Sequence, residues 1–86
     1  MKEPTIYPEE IHELINEKIL SDTTSFPTSL NYAVSYCMHA LSINDRHELA
    51  IQCLYILNNI THWRHKNAKE TRNTLKQFCR QEGAMR

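Results

Sequence analysis

A single glycine in 86 residues, Gly83, leaves little for a chain that must turn sharply. A β-protein of this length needs several tight turns, and most of those place glycine at positive φ. The three prolines, Pro4, Pro8 and Pro27, all fall in the first third, so nothing from Thr28 to Glu82 interrupts a helix. Together these shortages predict an all-α fold. One glycine also leaves no room for a glycine-rich phosphate loop. No apolar run approaches the roughly 20 residues of a membrane span. None follows Met1-Lys2-Glu3-Pro4 as a secretory signal would, so no leader is expected.

Cysteine is scarce and unpaired in pattern: Cys37, Cys53 and Cys79 are an odd number with no C-x-x-C among them. Each falls within an apolar helical pattern, where a free thiol behaves as a small hydrophobe. All three are expected to be reduced, with at least Cys37 and Cys53 buried, as in a cytoplasmic protein. Hydrophobic residues at 41% and charged residues at 23% are ordinary globular proportions, so disorder is not indicated. One domain over residues 1–86 is expected, and its own core is marginal because a chain this short buries only about 60–65% of its unfolded surface.

What is present organises into a small bundle of about four helices. Helix one starts at Pro8, suited to the first helical position because its missing N–H goes unpaired there anyway. Glu9 and Glu10 favour the positive end of that helix, and Ile11, Leu14, Ile15 and Ile19 form its inner face. Residues 21–27 read as a loop rich in side chains that bond their own backbone. Helix two is expected from Thr28 as N-cap, burying Leu30, Ala33, Val34, Cys37, Ala40 and Leu41. Asp45 and Glu48 open helix three, which runs to about Trp63 with Leu49, Ala50, Cys53, Leu54, Ile56, Leu57 and Ile60 inward. So wide an apolar arc belongs to a helix central in its bundle or shared with a second subunit. Asn67-Ala68-Lys69-Glu70 resembles another N-cap, and helix four turns Ala68, Thr71, Leu75, Phe78 and Cys79 inward before fraying near Gly83. Helices three and four are either separate or one bent helix.

Net charge is zero, but the two halves differ. Residues 1–43 carry two basic groups against six acidic, and residues 44–86 carry eight against four. On helix four, Lys69, Arg72, Lys76 and Arg80 fall on one stripe, and Arg64 and Lys66 precede it. Such a stripe is a solvated surface, a flank salt-bridged to Glu10, Glu13 and Glu17, a contact for an acidic partner, or a track along a nucleic-acid backbone. The aromatics Tyr32, Tyr36, Tyr55 and Trp63 stand at or beyond the margins of the apolar arcs. With Ile51, the residues Tyr36, Tyr55 and Trp63 make a candidate interface, since Tyr and Trp combine large area with a polar tip.

Signs of chemistry are sparse. His62 and His65 stand three apart, Cys37 and His39 two apart, and Glu9 with His12 makes one E-x-x-H. A structural zinc site draws four ligands together at short spacings, and a di-iron bundle needs a second E-x-x-H with two more carboxylates. No metal or cofactor is therefore expected. Only two aspartates occur, Asp22 in the loop and Asp45 at a cap. Cys79 beside Arg80 comes nearest to an activated thiol, but its phase points inward. No catalytic residue is expected.

From Leu30-Asn31-Tyr32-Ala33-Val34 to Thr71-Arg72-Asn73-Thr74-Leu75 the chain is similar in order to the small enteric biofilm-development regulators. The likeness covers about half the chain and includes no catalytic motif. It implies a small helical regulatory dimer. The expected function is accordingly a non-enzymatic regulator or adaptor acting through protein contacts as a homodimer. The alternative is a nucleic-acid-binding regulator using the basic stripe.

Overall fold

The computed structural model describes residues 5–85. Lys2, Glu3, Pro4 and Arg86, which entered the sequence reading, lie outside the described residues. The chain is all-helical: α1 (Pro8–Leu14), which continues as a π-helical turn (Ile15–Ile19), a 3₁₀ turn (Thr23–Ser25), α2 (Ala33–Ala40), α3 (Arg46–Asn58) and α4 (Ala68–Gln81). Among the described residues there is no strand. No helix among them is long and apolar enough to cross a membrane.

Helix α1 begins with Pro8 as expected, and Glu10 reaches back to accept from the Tyr7 amide at 3.2 Å. Ile11, Ile15 and Ile19 are fully buried, although an every-fourth-residue row drifts sideways on an α-helix of about 3.6 residues per turn. The wide π turn, closed by the Leu20 amide on the Ile15 carbonyl at 2.9 Å, offsets that drift and keeps the three isoleucines on one face.

Helix two starts later than its pattern predicts. Thr28 does not cap it: the Thr28 hydroxyl donates backwards to the Ser25 carbonyl at 3.4 Å, and α2 opens only at Ala33. Asp22 causes the delay. Its carboxylate accepts from the Thr24 and Ser25 hydroxyls at 3.0 and 2.7 Å, holding the loop in single turns that deliver Leu30 to the core.

Helix α3 lies at the centre of the bundle, packed against α2 on one side and α4 on the other. Asp45 caps it as expected, accepting from the Glu48 amide at 3.0 Å. The inward residues are those the spacing gives, except that Gln52 joins them and Leu54 is only half-buried. The helix stops at Asn58, short of the expected Trp63, because Ile60 and Trp63 turn fully into the core. Helices three and four are thus separate helices, not one bent helix.

Helix α4 begins where predicted and buries Ala68, Thr71, Leu75, Phe78 and Cys79. The Asn67 side chain makes no capping bond; the Asn67 amide instead donates to His65 Nδ1 at 3.2 Å. The expected fraying near Gly83 is replaced by an ordered turn. Gly83 takes φ +77°, its amide bonds the Arg80 carbonyl at 3.2 Å, and the Ala84 amide bonds the Cys79 carbonyl at 2.9 Å. This left-handed helix stop is the one place where the fold uses its glycine. A Cβ at position 83 would meet nothing within 4 Å, so Gly83→Ala acts through the backbone alone. It is expected to cost about 1 kcal/mol in a urea titration; an unchanged midpoint would show that the turn is not populated.

The segment before α1 is tied to the end of α4. Gln81 accepts from the Ile6 amide at 2.7 Å and donates to the Ile6 carbonyl at 2.8 Å. Nearby, Arg46 stacks over the Tyr7 ring at 4.9 Å and pairs with Glu82 at 3.5 Å. The three thiols Cys37, Cys53 and Cys79, one each from α2, α3 and α4, are free and buried. Burial pushes the Cys37 thiol up to about 12, and Cys53 is also raised, by its contact with Cys79 and by burial.

Candidate protein interface

Helices α2 and α3 place an apolar surface on the outside of the bundle. Tyr36 from α2 and Tyr55 from α3 stack with ring centroids 5.7 Å apart and planes inclined by 20°. Ile51 stands one turn before Tyr55 on α3, and Tyr32 one turn before Tyr36. All four are exposed, from 38% for Tyr36 and Ile51 to 49% for Tyr55 and 75% for Tyr32. Gln52 fixes the frame beneath them: its side-chain amide donates to the Tyr36 carbonyl at 3.0 Å, tying α3 to α2. That role was readable only as an oddity, a glutamine in an otherwise apolar arc.

Of the four candidate interface residues, Tyr36, Ile51 and Tyr55 come together on this face and Trp63 does not. Trp63 is fully buried. Its Nε1 donates to Asp22 Oδ2 at 2.8 Å, and the His65 ring stacks on it at 5.5 Å. The bonds from Trp63 and Ser25 hold the Asp22 carboxyl below its ordinary value of 3.8. With the apolar pattern ending around Trp63, the sequence placed the indole at the bundle margin. The chain folds it under the α3–α4 connection, where Asp22, 41 residues earlier, satisfies its N–H.

The basic stripe also divides. Arg64, Lys66, Lys69, Lys76 and Arg80 are exposed, whereas Arg72 is half-buried. The Arg72 guanidinium donates to the carbonyls of Ile60 at 3.3 Å and Trp63 at 3.0 Å, satisfying backbone acceptors past the end of α3. Arg72 is therefore a structural residue, not a free cation on the stripe. The salt-bridged flank against helix one, one of the four readings of the stripe, is absent among the described residues. Among the described residues the one ion pair is Arg46–Glu82, which involves neither the stripe nor Glu10, Glu13 or Glu17.

The residues weighed for chemistry have other occupations. His12 Nε2 bonds the Ile43 carbonyl at 2.8 Å, and His39 and His62 are exposed. Cys79 is fully buried, with its thiol on the Ala50 carbonyl at 3.4 Å. Among the described residues no three His, Cys, Asp or Glu side chains gather as a metal-holding group.

No family model, curated protein or solved structure matches the chain.

Proposed function

We propose that this chain is a small non-enzymatic regulatory or adaptor protein that works through protein contacts as a homodimer built on the Tyr32–Tyr36–Ile51–Tyr55 face. The observation that carries this reading is the exposed Tyr36–Tyr55 stack beside Ile51. Two rings stacked on one another, over a backbone that the Gln52 bond ties to α3, lose little side-chain freedom on binding, which favours aromatic contacts of this kind. A face on two adjacent helices is also suited to pairing with its own copy about a two-fold axis. Size supports the reading further, because a marginal core gains from sharing apolar surface. The wide apolar arc of α3 does not support it, since that arc is buried within the bundle apart from the half-buried Leu54, and Ile51 and Tyr55 lie outside it.

The test is the double variant Ile51→Lys/Tyr55→Lys. Both positions are exposed, so its circular dichroism is expected to match the parent chain, and in about 0.5 M salt, which screens charged contacts, its sedimentation is expected to be monomeric where the parent is dimeric. A variant that dimerises like the parent would place the contact elsewhere.

A further inference from the structure

The outer side of α1 carries Glu9, Glu10, Glu13 and Glu17, all exposed. Glu10, Glu13 and Glu17 line a shallow open groove with Lys18 and the half-buried Leu14. On α4, Lys69, Lys76 and Arg80 stand exposed along one stripe, with uncharged Asn73 between the two lysines. Among the described residues none of these charges has an ion-pair partner within the chain. The two patterns share a spacing. Glu10 and Glu17 are seven residues apart with Leu14 between them, and Lys69 and Lys76 are seven apart with Asn73 between them. Seven residues span roughly 10 Å along α4, and the α1 row runs from the α-helix into the wider π turn that holds Glu17. We propose that the basic face of α4 docks in the acidic α1 groove of a second copy of this chain, Lys69 and Lys76 pairing with the glutamates and Asn73 crossing Leu14.

The charge balance selects a second copy as the occupant. The chain has no net charge, so copies approach without long-range repulsion, and each presents both halves of the contact. A chain with as many acidic as basic groups has no net attraction for a polyanion such as nucleic acid. This contact is separate from the aromatic face on α2 and α3 and does not depend on it. It predicts an association that salt weakens, whereas an apolar dimer survives salt.

The experiment uses the full chain carrying Ile51→Ser/Tyr55→Ser, so that the aromatic face does not contribute and the net charge stays at zero. Into it go two charge-reversed versions, Lys69→Glu/Lys76→Glu and Glu13→Lys/Glu17→Lys. Arg72 and Glu10 are left intact because they bond the backbone. Light scattering at about 50 mM and about 500 mM salt is expected to show self-association of the unreversed chain falling about tenfold as screening rises. Each reversed chain alone should lose association by a similar factor, and an equimolar mixture of the two should recover it, since each now complements the other. A mixture that stays dissociated would overturn the proposal, as would association indifferent to salt. A labelled DNA duplex titrated in parallel supplies the remaining outcome. Sub-micromolar, salt-sensitive binding abolished by Lys69→Glu/Lys76→Glu would assign the stripe to nucleic acid and overturn the proposal.

Discussion

Trp63→Ala is expected to cost about 3–5 kcal/mol in a urea titration, the usual range for emptying a large aromatic site in a packed core. The side chain is fully buried and holds several segments at once. Its indole N–H anchors Asp22 and with it the loop before α2, and its ring carries His65. Trp63→Phe keeps most of the volume and loses the bond to the Asp22 carboxylate, so a smaller loss of about 2 kcal/mol is expected. The two variants also differ from the parent in acid. A carboxyl whose folded pKa is depressed stabilises the fold above its ordinary value near 3.8, and that contribution is lost as pH falls through the lower folded value. Trp63→Phe should flatten this acid limb. An unchanged urea midpoint for Trp63→Ala would mean that the indole is not core, and would return it to the list of surface contacts.

Arg72→Gln is expected to destabilise by about 2 kcal/mol, because hydrogen bonds from a charged group contribute roughly 1.5–3 kcal/mol and the Trp63 carbonyl loses its donor, while the Ile60 carbonyl keeps the Trp63 amide at 3.1 Å. Lys69→Gln and Lys76→Gln, one turn to either side and exposed, should each change stability by no more than about 0.5 kcal/mol. The sequence gives these three residues one periodicity and therefore one role, and thermal or urea unfolding separates them. Equal, small effects at all three positions would show that the Arg72 bonds to Ile60 and Trp63 contribute nothing to stability.

Much of the fold is written in local pattern. The all-α class follows from the absence of turn formers. The inward faces of α1, α3 and α4 follow from spacing, and the Asp45 cap from one acidic residue three before Glu48. What stayed hidden depends on partners distant in sequence. Thr28 has the right type for an N-cap, but Asp22 had already engaged the hydroxyls upstream. Trp63 lies where the apolar pattern stops, and only the fold brings Asp22 beneath its N–H. Arg72 shares the phase of Lys69 and Lys76, yet the carbonyls freed by the end of α3 lie within its reach and not within theirs. Tyr36, Ile51 and Tyr55 were legible as a candidate face because each lies outside its helix's apolar arc, a purely local property. That Tyr36 and Tyr55 stack on one another required the packing of α2 on α3.

The exposed aromatic face is proposed to pair two copies of the chain. Sedimentation velocity of the unmodified protein from about 1 to 300 µM, in about 0.5 M salt to screen charged contacts, tests it most directly. A rise with concentration to twice the monomer mass is expected; a monomer throughout that range would rule the pairing out.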